Sequence, residues 1–276
     1  MKKIAVLGPK GTFSDVACKK YFENINEELN IIYCPTIVKT ANMIEQTKLA
    51  ILPFENSLDG YVTETLDTIT KRDEKIIAEI TCPIHFNFVS YEKDIKEINK
   101  IFVQYKSKGQ CQEFITKNDF RCEITQSNIE SLNLLQENKE GYAAIIPSHI
   151  ETKEFNLVIN DIADNLHNET RFLVMSQDYE NVKLNNNVKV SCVIYAVHDK
   201  PGILYHILSK FEEYNINLTA ILSRPTKTDL GKYNFYIEFS LAKLELNKIY
   251  ALIEKFDALN EFKIKILGVY SNIGDE

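Results

Sequence analysis

From its first residues to about position 160 the chain keeps switching between short apolar runs of strand length and stretches with apolar residues at helical spacing, and this alternation restricts the fold more than any other feature. The run "KIAVLG" (2–7) precedes a turn and a helix opening at Ser14, with Val16, Ala17, Tyr21 and Phe22 along one side. "NIIYCPT" (30–36) is strand-like, "VKTANMIEQT" is helical, and "KLAILPFENS" is a buried strand running into a polar loop. "GYVTETLDTITKRD" then carries Val62, Leu66 and Ile69 at helical spacing. After the β-rich stretch 75–90 a second series begins: "KIFVQ", a helix through "GQCQEFITKN", "FRCEITQ", a helix through "IESLNLLQEN", and "GYAAIIP". Such alternation predicts an α/β fold with a largely parallel sheet and helices on both faces. Two series joined by an extended stretch predict two lobes, the second at about 80–160, with a cleft at the carboxyl ends of the strands.

Residues 176–189, "SQDYENVKLNNNVK", are polar, Asn-rich and without periodicity, and read as a linker. Beyond it the order is strand (190–197), helix (201–213), strand (217–225), strand (232–240), helix (246–256) and strand (261–271), the βαββαβ ferredoxin-like unit. A chain of 276 residues has room for both parts at about 100–200 residues per domain.

Composition narrows function by exclusion. No apolar run reaches the ~20 residues of a membrane helix. The apolar stretch at the start breaks at Gly8-Pro9, short of a signal-peptide core of ~7–15 residues, so a cytoplasmic location is expected. With a net charge of −7 and 32 scattered basic residues, nucleic acid is not an expected partner. The six cysteines form no CxxC pair and read as small buried hydrophobes. The five histidines lack ligand spacing, so neither a metal nor a cofactor is expected.

Three segments carry polar groups where chemistry could occur. In "GPKGTFS", Gly8 and Gly11 lie between strand and helix, with the hydroxyls of Thr12 and Ser14 beside Phe13. Helix-start amides bind anions, carboxylates included. The same residues also suit a tight turn with Ser14 as N-cap, and the spacing is not that of a dinucleotide loop. In "LPFENSLDG", Glu55, Asn56 and Ser57 close a strand, either as one wall of the cleft or as a capped loop. In "HNETRFLVM", a strand beginning at Thr170 places Asn168, Thr170 and Phe172 on one face and Arg171 on the other. Arg171 would then support a site from behind, reach its rim through a bulge, or form a structural salt bridge.

Together these segments resemble the prephenate dehydratase family, across essentially the whole chain and in order. "GPKGTFS" is similar to its GPxGTFS, "LPFENSLDGYVTETLD" to its P-x-E-N-S-x-x-G-x-V-x-x-T-L-D, and "NETRF" to its N-x-T-R-F. The tail "DKPGILYHILSKFEEYNINLTAILSRP" resembles an ACT regulatory domain. Two departures stand out: "VQYKSKGQC" keeps only Gln110 and Cys111 of a His-Pro-Gln…Gln-Cys segment, and Leu222 replaces the glutamate of Glu-Ser-Arg-Pro.

The resemblance implies a two-lobed, periplasmic-binding-protein-like catalytic domain over 1–180 and an ACT domain over 188–272. It implies decarboxylating dehydration of prephenate to phenylpyruvate, in which formation of the aromatic ring supplies the driving force and no cofactor or metal is needed. Thr170 would be the catalytic hydrogen-bond donor to the leaving hydroxyl. Thr12, Phe13, Ser14, Glu55, Asn56, Ser57, Asn168, Arg171 and Phe172 would bind the substrate. L-Phenylalanine would act as allosteric effector at Gly202, Ile203, Leu204, Asn217, Leu218, Ser223, Arg224 and Pro225, between paired subunits of a homo-oligomer, a dimer of dimers. Deleting 188–276 would leave activity that ignores phenylalanine. Arogenate dehydration, or an ACT-linked sensor without turnover, are the alternative readings.

Overall fold

The computed structural model describes residues 2–23, 29–179, 182–197, 201–226 and 233–273. Lobe one opens with β1 (Lys2–Leu7), α1 (Phe13–Glu23), β2 (Leu29–Cys34), α2 (Ile37–Asn42) and α3 (Ile44–Thr47). It continues through β3 (Leu49–Asn56), β4 (Gly60–Tyr61), α4 (Thr63–Ile69) and β5 (Lys75–Pro83). Lobe two follows as β6 (Phe86–Ser90), β7 (Lys100–Gln104), α5 (Tyr105–Gln110), α6 (Gln112–Lys117), β8 (Arg121–Thr125), α7 (Asn128–Glu137), β9 (Tyr142–Pro147) and β10 (Leu157–Ile159). The chain then returns to lobe one as β11 (Glu169–Ser176). Helix starts follow the local chemistry: the Thr36 hydroxyl accepts from the Lys39 amide at the head of α2, and Ser127 does the same for Glu130 at α7.

Lobe one is the strand order β5-β11-β3-β1-β2, with β4 beside β3. β1 runs parallel to β2 and β3, whereas β11 fills the slot between β3 and β5 antiparallel to both. Lobe two has the order β10-β6-β9-β7-β8. Both sheets point strand ends at the same interlobe region, as the alternation predicted. The sheets are mixed rather than largely parallel, because β11, β6 and β10 each run against their neighbours.

The tail folds as β12 (Asn187–Ala196), α8 (Ile203–Glu213), β13 (Leu218–Pro225), β14 (Tyr233–Ala242), α9 (Asn247–Leu259) and β15 (Phe262–Tyr270). Its strands lie in the order β13-β14-β12-β15, and Ile207, Phe211, Leu252 and Phe256 of the two helices form a core with the sheet. This is the predicted βαββαβ unit, but it is not set apart by a linker. β15 lies parallel beside β5 with Gly268 opposite Ile76, so that among the described residues ten strands form one sheet. A Cβ on Gly268 would stand 2.3 Å from the Ile76 carbonyl oxygen, so the approach requires glycine.

Further backbone bonds extend the seam: the Glu79 amide donates to Ser271 O and the Ile273 amide to Glu79 O. Val193, Tyr236, Leu267 and Tyr270 of the tail share one core with Ala5, Leu52, Phe54, Leu173 and Met175 of lobe one. The expected linker 176–189 shrinks accordingly. β11 includes Ser176, β12 starts at Asn187, and the Asn185 amide donates to Ser271 Oγ, while residues 180 and 181 lie outside the described residues. The Asn-rich composition reported solvent exposure there, which does not require a free connection. Among the described residues no helix is long and apolar enough to cross a membrane.

Candidate active site

The end of β3 and the start of β11 are in register, Thr170 opposite Asn56 and Arg171 opposite Glu55. Phe172 then pairs with Pro53, so Phe54 is the extra residue of a β-bulge. The bulge turns the Phe54 ring and the Glu55 carboxylate both toward Arg171, leaving Asn56 with Thr170.

On the Thr170 side, Asn56 Oδ1 accepts from the amides of Leu58 and Asp59, each at 3.0 Å. That fixes which end of the Asn56 amide is nitrogen. Asn56 Nδ2 is then placed to donate to Thr170 Oγ1 at 3.0 Å, to Asn168 Oδ1 at 2.7 Å and to the Glu169 carbonyl at 3.1 Å. Ser57 Oγ accepts from the Glu169 amide and donates to Asn168 Oδ1 at 3.3 Å. Asn168 is 1% exposed and its Nδ2 donates to Gln110 Oε1, across the cleft at the end of α5. Thr170 itself is half-buried, with its hydroxyl already accepting from Asn56. The hydroxyl proton is therefore available to an incoming group.

On the opposite side, Arg171 is 9% exposed. Its guanidinium reaches Glu55 at 2.8 Å, Glu79 at 3.0 Å, and Glu238 of β14 through two bonds of 3.1 and 2.8 Å, and it stands 4.8 Å from the Phe54 ring centre. Lys189 adds a second cation on Glu79 at 2.6 Å. Glu238 also accepts from Tyr236 Oη (2.6 Å), Ser191 Oγ (3.1 Å) and Tyr270 Oη (3.2 Å). Burial works against its ionised form, yet the Arg171 guanidinium beside it holds the carboxyl below the usual carboxylate range. Removing one partner of such a buried pair typically costs about 3–5 kcal/mol.

The "GPKGTFS" loop borders the same region. Asp15, in the first turn of α1, accepts from the Gly11 amide (3.0 Å) and Tyr33 Oη (2.6 Å), and Thr12 Oγ1 donates to Leu7 O at 3.3 Å. Ser14 is buried. Phe13 meets Phe86 and His149 of lobe two edge-on, at 5.8 and 5.2 Å between ring centres, and His149 Nε2 donates to Gly11 O at 2.8 Å. The amides of Asp15 and Val16 donate to Thr12 O, which leaves those of Phe13 and Ser14 at the head of α1 to serve an anion.

This constellation can be set beside known proteins. The prephenate dehydratase family model matches residues 4–180, and the ACT domain model matches residues 192–255. The chain belongs to the prephenate dehydratase family. The prephenate dehydratase of Methanocaldococcus jannaschii is 35% identical over 265 residues, covering 95% of each chain. The crystal structure of prephenate dehydratase from Staphylococcus aureus subsp. aureus Mu50 has 30% identity and a TM-score of 0.80, covering 98% of this chain and all of that one. The enzyme of Arthrobacter aurescens, solved in complex with L-Phe, has 26% identity and a TM-score of 0.84, covering 99% of this chain and 91% of that one.

Against the family motifs, the structure gathers Asn56, Ser57, Asn168 and Thr170 into one bonded cluster and brings the Thr12–Ser14 loop to the lobe contact. Three residues expected to bind the substrate sit elsewhere. Phe172 is 2% exposed, in the core beneath α1 with Ile4, Val6 and Phe22, because α1 covers that face as soon as the strand passes the bulge. Arg171 takes the position behind the site in salt bridges rather than at the rim, and Glu55 bonds it instead of facing a substrate, because the bulge aims both behind the site.

In the ACT domain, Gly202 takes φ 82° ahead of α8, Ile203 joins the core and Leu204 is exposed. Asn217 and Leu218 open the edge strand β13, where Ser223 and Pro225 are exposed and Arg224 bonds Asp67 of α4 at 2.8 Å. Asp199 and Lys200 lie outside the described residues. Reading the sequence missed three residues: Gln110, Glu79 and Glu238. The signal for the last two was present, since "IIAEIT" and "FYIEFSL" each place one carboxylate in an apolar strand, and a buried charge requires a partner.

Proposed function

We propose that the cluster around Thr170 is the catalytic centre of a prephenate dehydratase. The chain converts prephenate to phenylpyruvate under control by phenylalanine. As the ring carboxylate leaves as carbon dioxide, the electrons of its C–C bond enter the ring, the ring hydroxyl departs with its C–O pair, and a proton completes water. The leaving oxygen gains negative charge during this step, and the Thr170 hydroxyl donates to it. A donor of this kind contributes most when charge has developed, so it lowers the barrier without tightening substrate binding equally. Asn56, Ser57 and Asn168 hold the threonine and orient the ring, and the α1 amides take a carboxylate. Arg171, already met by three carboxylates, is not that acceptor.

The observation carrying this reading is the 3.0 Å contact from Asn56 Nδ2 to Thr170 Oγ1, in which the hydroxyl oxygen serves as acceptor, so that its proton can be donated elsewhere. Thr170→Ala is expected to lower kcat about 10²–10⁴-fold with little change in KM, and Thr170→Ser to retain most of the rate. An alanine variant that is folded and near wild type in kcat would remove Thr170 from this role.

The chain further works as a dimer of dimers in the cytoplasm. In support, β13 is an edge strand with Ile221 42% exposed, and Leu204, Leu208 and Tyr205 stand exposed on α8. All six cysteines are free thiols, as suits a reducing compartment. Sedimentation with and without phenylalanine tests the assembly.

A further inference from the structure

We infer that Glu238, in the centre of the ACT sheet, is a positioning residue for the dehydratase reaction and acts on Thr170 through Arg171. The inference rests on the catalytic assignment above and adds to it a group from the other domain.

The geometry has three parts. Thr170 and Arg171 are neighbours in the chain, and their cross-strand partners Asn56 and Glu55 are neighbours too. One two-residue register therefore shows Thr170 and Asn56 to the cleft and Arg171 and Glu55 to the ACT domain. The bulge at Phe54 interrupts the ladder with β3 immediately below this register, while on its other side β11 pairs without interruption with β5 from Glu169 to Val174, Thr170 opposite Cys82, so what the ladders leave open is how the Glu55–Asn56 end of β3 stands against Thr170. The guanidinium adds to that backbone register from behind, bridging Glu55 of β3 and Glu79 of β5, and its two-bonded partner is Glu238, itself 2% exposed.

Apart from Arg171, the groups that hold Glu238 belong to the tail. Tyr236, Ser191 and Tyr270, from three ACT strands, all bond its carboxylate. Ala220 of β13 lies opposite Glu238 in the ladder, on the strand that ends in Ser223-Arg224-Pro225. A shift of β13 against β14 thus reaches the Arg171 guanidinium through one side chain. Glu79 and Glu55 cannot substitute: Glu79 shares its carboxylate with Lys189, and Glu55 belongs to the register being positioned.

The test is steady-state turnover of prephenate by the full-length chain carrying Glu238→Gln, beside Leu241→Ala as a control for stability. Leu241 lies on the same strand in the helix-facing core of the ACT domain. Both variants are expected to melt earlier. Measured well below either melting point, Glu238→Gln is expected to lose about 10–100-fold in kcat with KM within about threefold, whereas Leu241→Ala keeps the wild-type kcat. Glu238→Asp, which keeps the charge on a shorter arm, serves if the glutamine variant does not fold, with the same split expected. A folded Glu238→Gln or Glu238→Asp enzyme with wild-type kcat overturns the inference while leaving the role of Thr170 intact. A wild-type chain inert toward prephenate overturns the catalytic assignment itself and this inference with it.

Discussion

Lobe one has two junctions, and they differ in kind. Toward lobe two it is joined by dispersed contacts at the mouth of the cleft: His149 to Gly11, Gln110 to Asn168, Lys106 to Asp59 at 3.4 Å, and Phe13 against Phe86. Toward the ACT domain it is joined by a shared sheet, a shared apolar core and a buried cluster of two cations and three carboxylates. The first kind parts at smaller cost, because its contacts are few and separate and the exposed Lys106–Asp59 pair exchanges readily for water. The second does not, because separating it strands charges and apolar surface together. The contrast predicts that lobe two is the part that moves and that the ACT domain travels with lobe one. A site whose threonine belongs to the fixed side and whose glutamine belongs to the moving side is completed by closure.

The contrast can be broken most forcefully at Gly268. Gly268→Ala forces a methyl against the Ile76 backbone and is expected to cost about 3 kcal/mol, visible as a lower melting temperature and separation of the ACT and catalytic unfolding transitions in calorimetry. An unchanged, single transition would mean that the seam is not what joins the two parts. Next in size is Gln110→Ala, on the moving side. Losing the hydrogen bond to Asn168 is expected to lower kcat/KM by about 3–10-fold while stability changes by less than about 1 kcal/mol. A large loss of stability there would put the lobe contact in the same class as the ACT seam. Smallest is Lys106→Ala. Both it and Asp59 are well exposed, so KM is expected to move less than about twofold, with the difference vanishing in high salt.

The two junctions were also unequally legible in the sequence. Strand and helix order, both lobes and the βαββαβ tail follow from periodicity, which is local. The polar cluster was legible because its members occupy short segments whose family motifs survive. Phe172 was misplaced because strand alternation gives the face of a residue but not the helix that covers it. Arg171 and Glu55 depended on a bulge at Phe54 that no residue in "LPFENS" announces. The shared sheet was invisible for a different reason: β5 and β15 stand roughly two-thirds of the chain apart, and a glycine in "KILGVY" has many possible uses. Expecting 188–276 to be removable came from the resemblance of the tail to a regulatory ACT domain, which says nothing of how that domain is joined to the rest. With Glu238 and β15 in place, the same deletion takes away the backing of Arg171 and exposes the edge of β5.

The antiparallel slot occupied by β11 also sets a timetable for synthesis. β3 and β5 are complete when Pro83 leaves the ribosome, but the strand that joins them follows only after all of lobe two. At ~5–20 residues per second that interval is roughly 5–20 s, during which the facing edges of β3 and β5 have no partner. The threonine proposed as the hydrogen-bond donor thus arrives on the strand that closes the sheet. Substitutions that slow the folding of lobe two are then felt as lost yield of nascent protein, even where they leave the finished enzyme untouched.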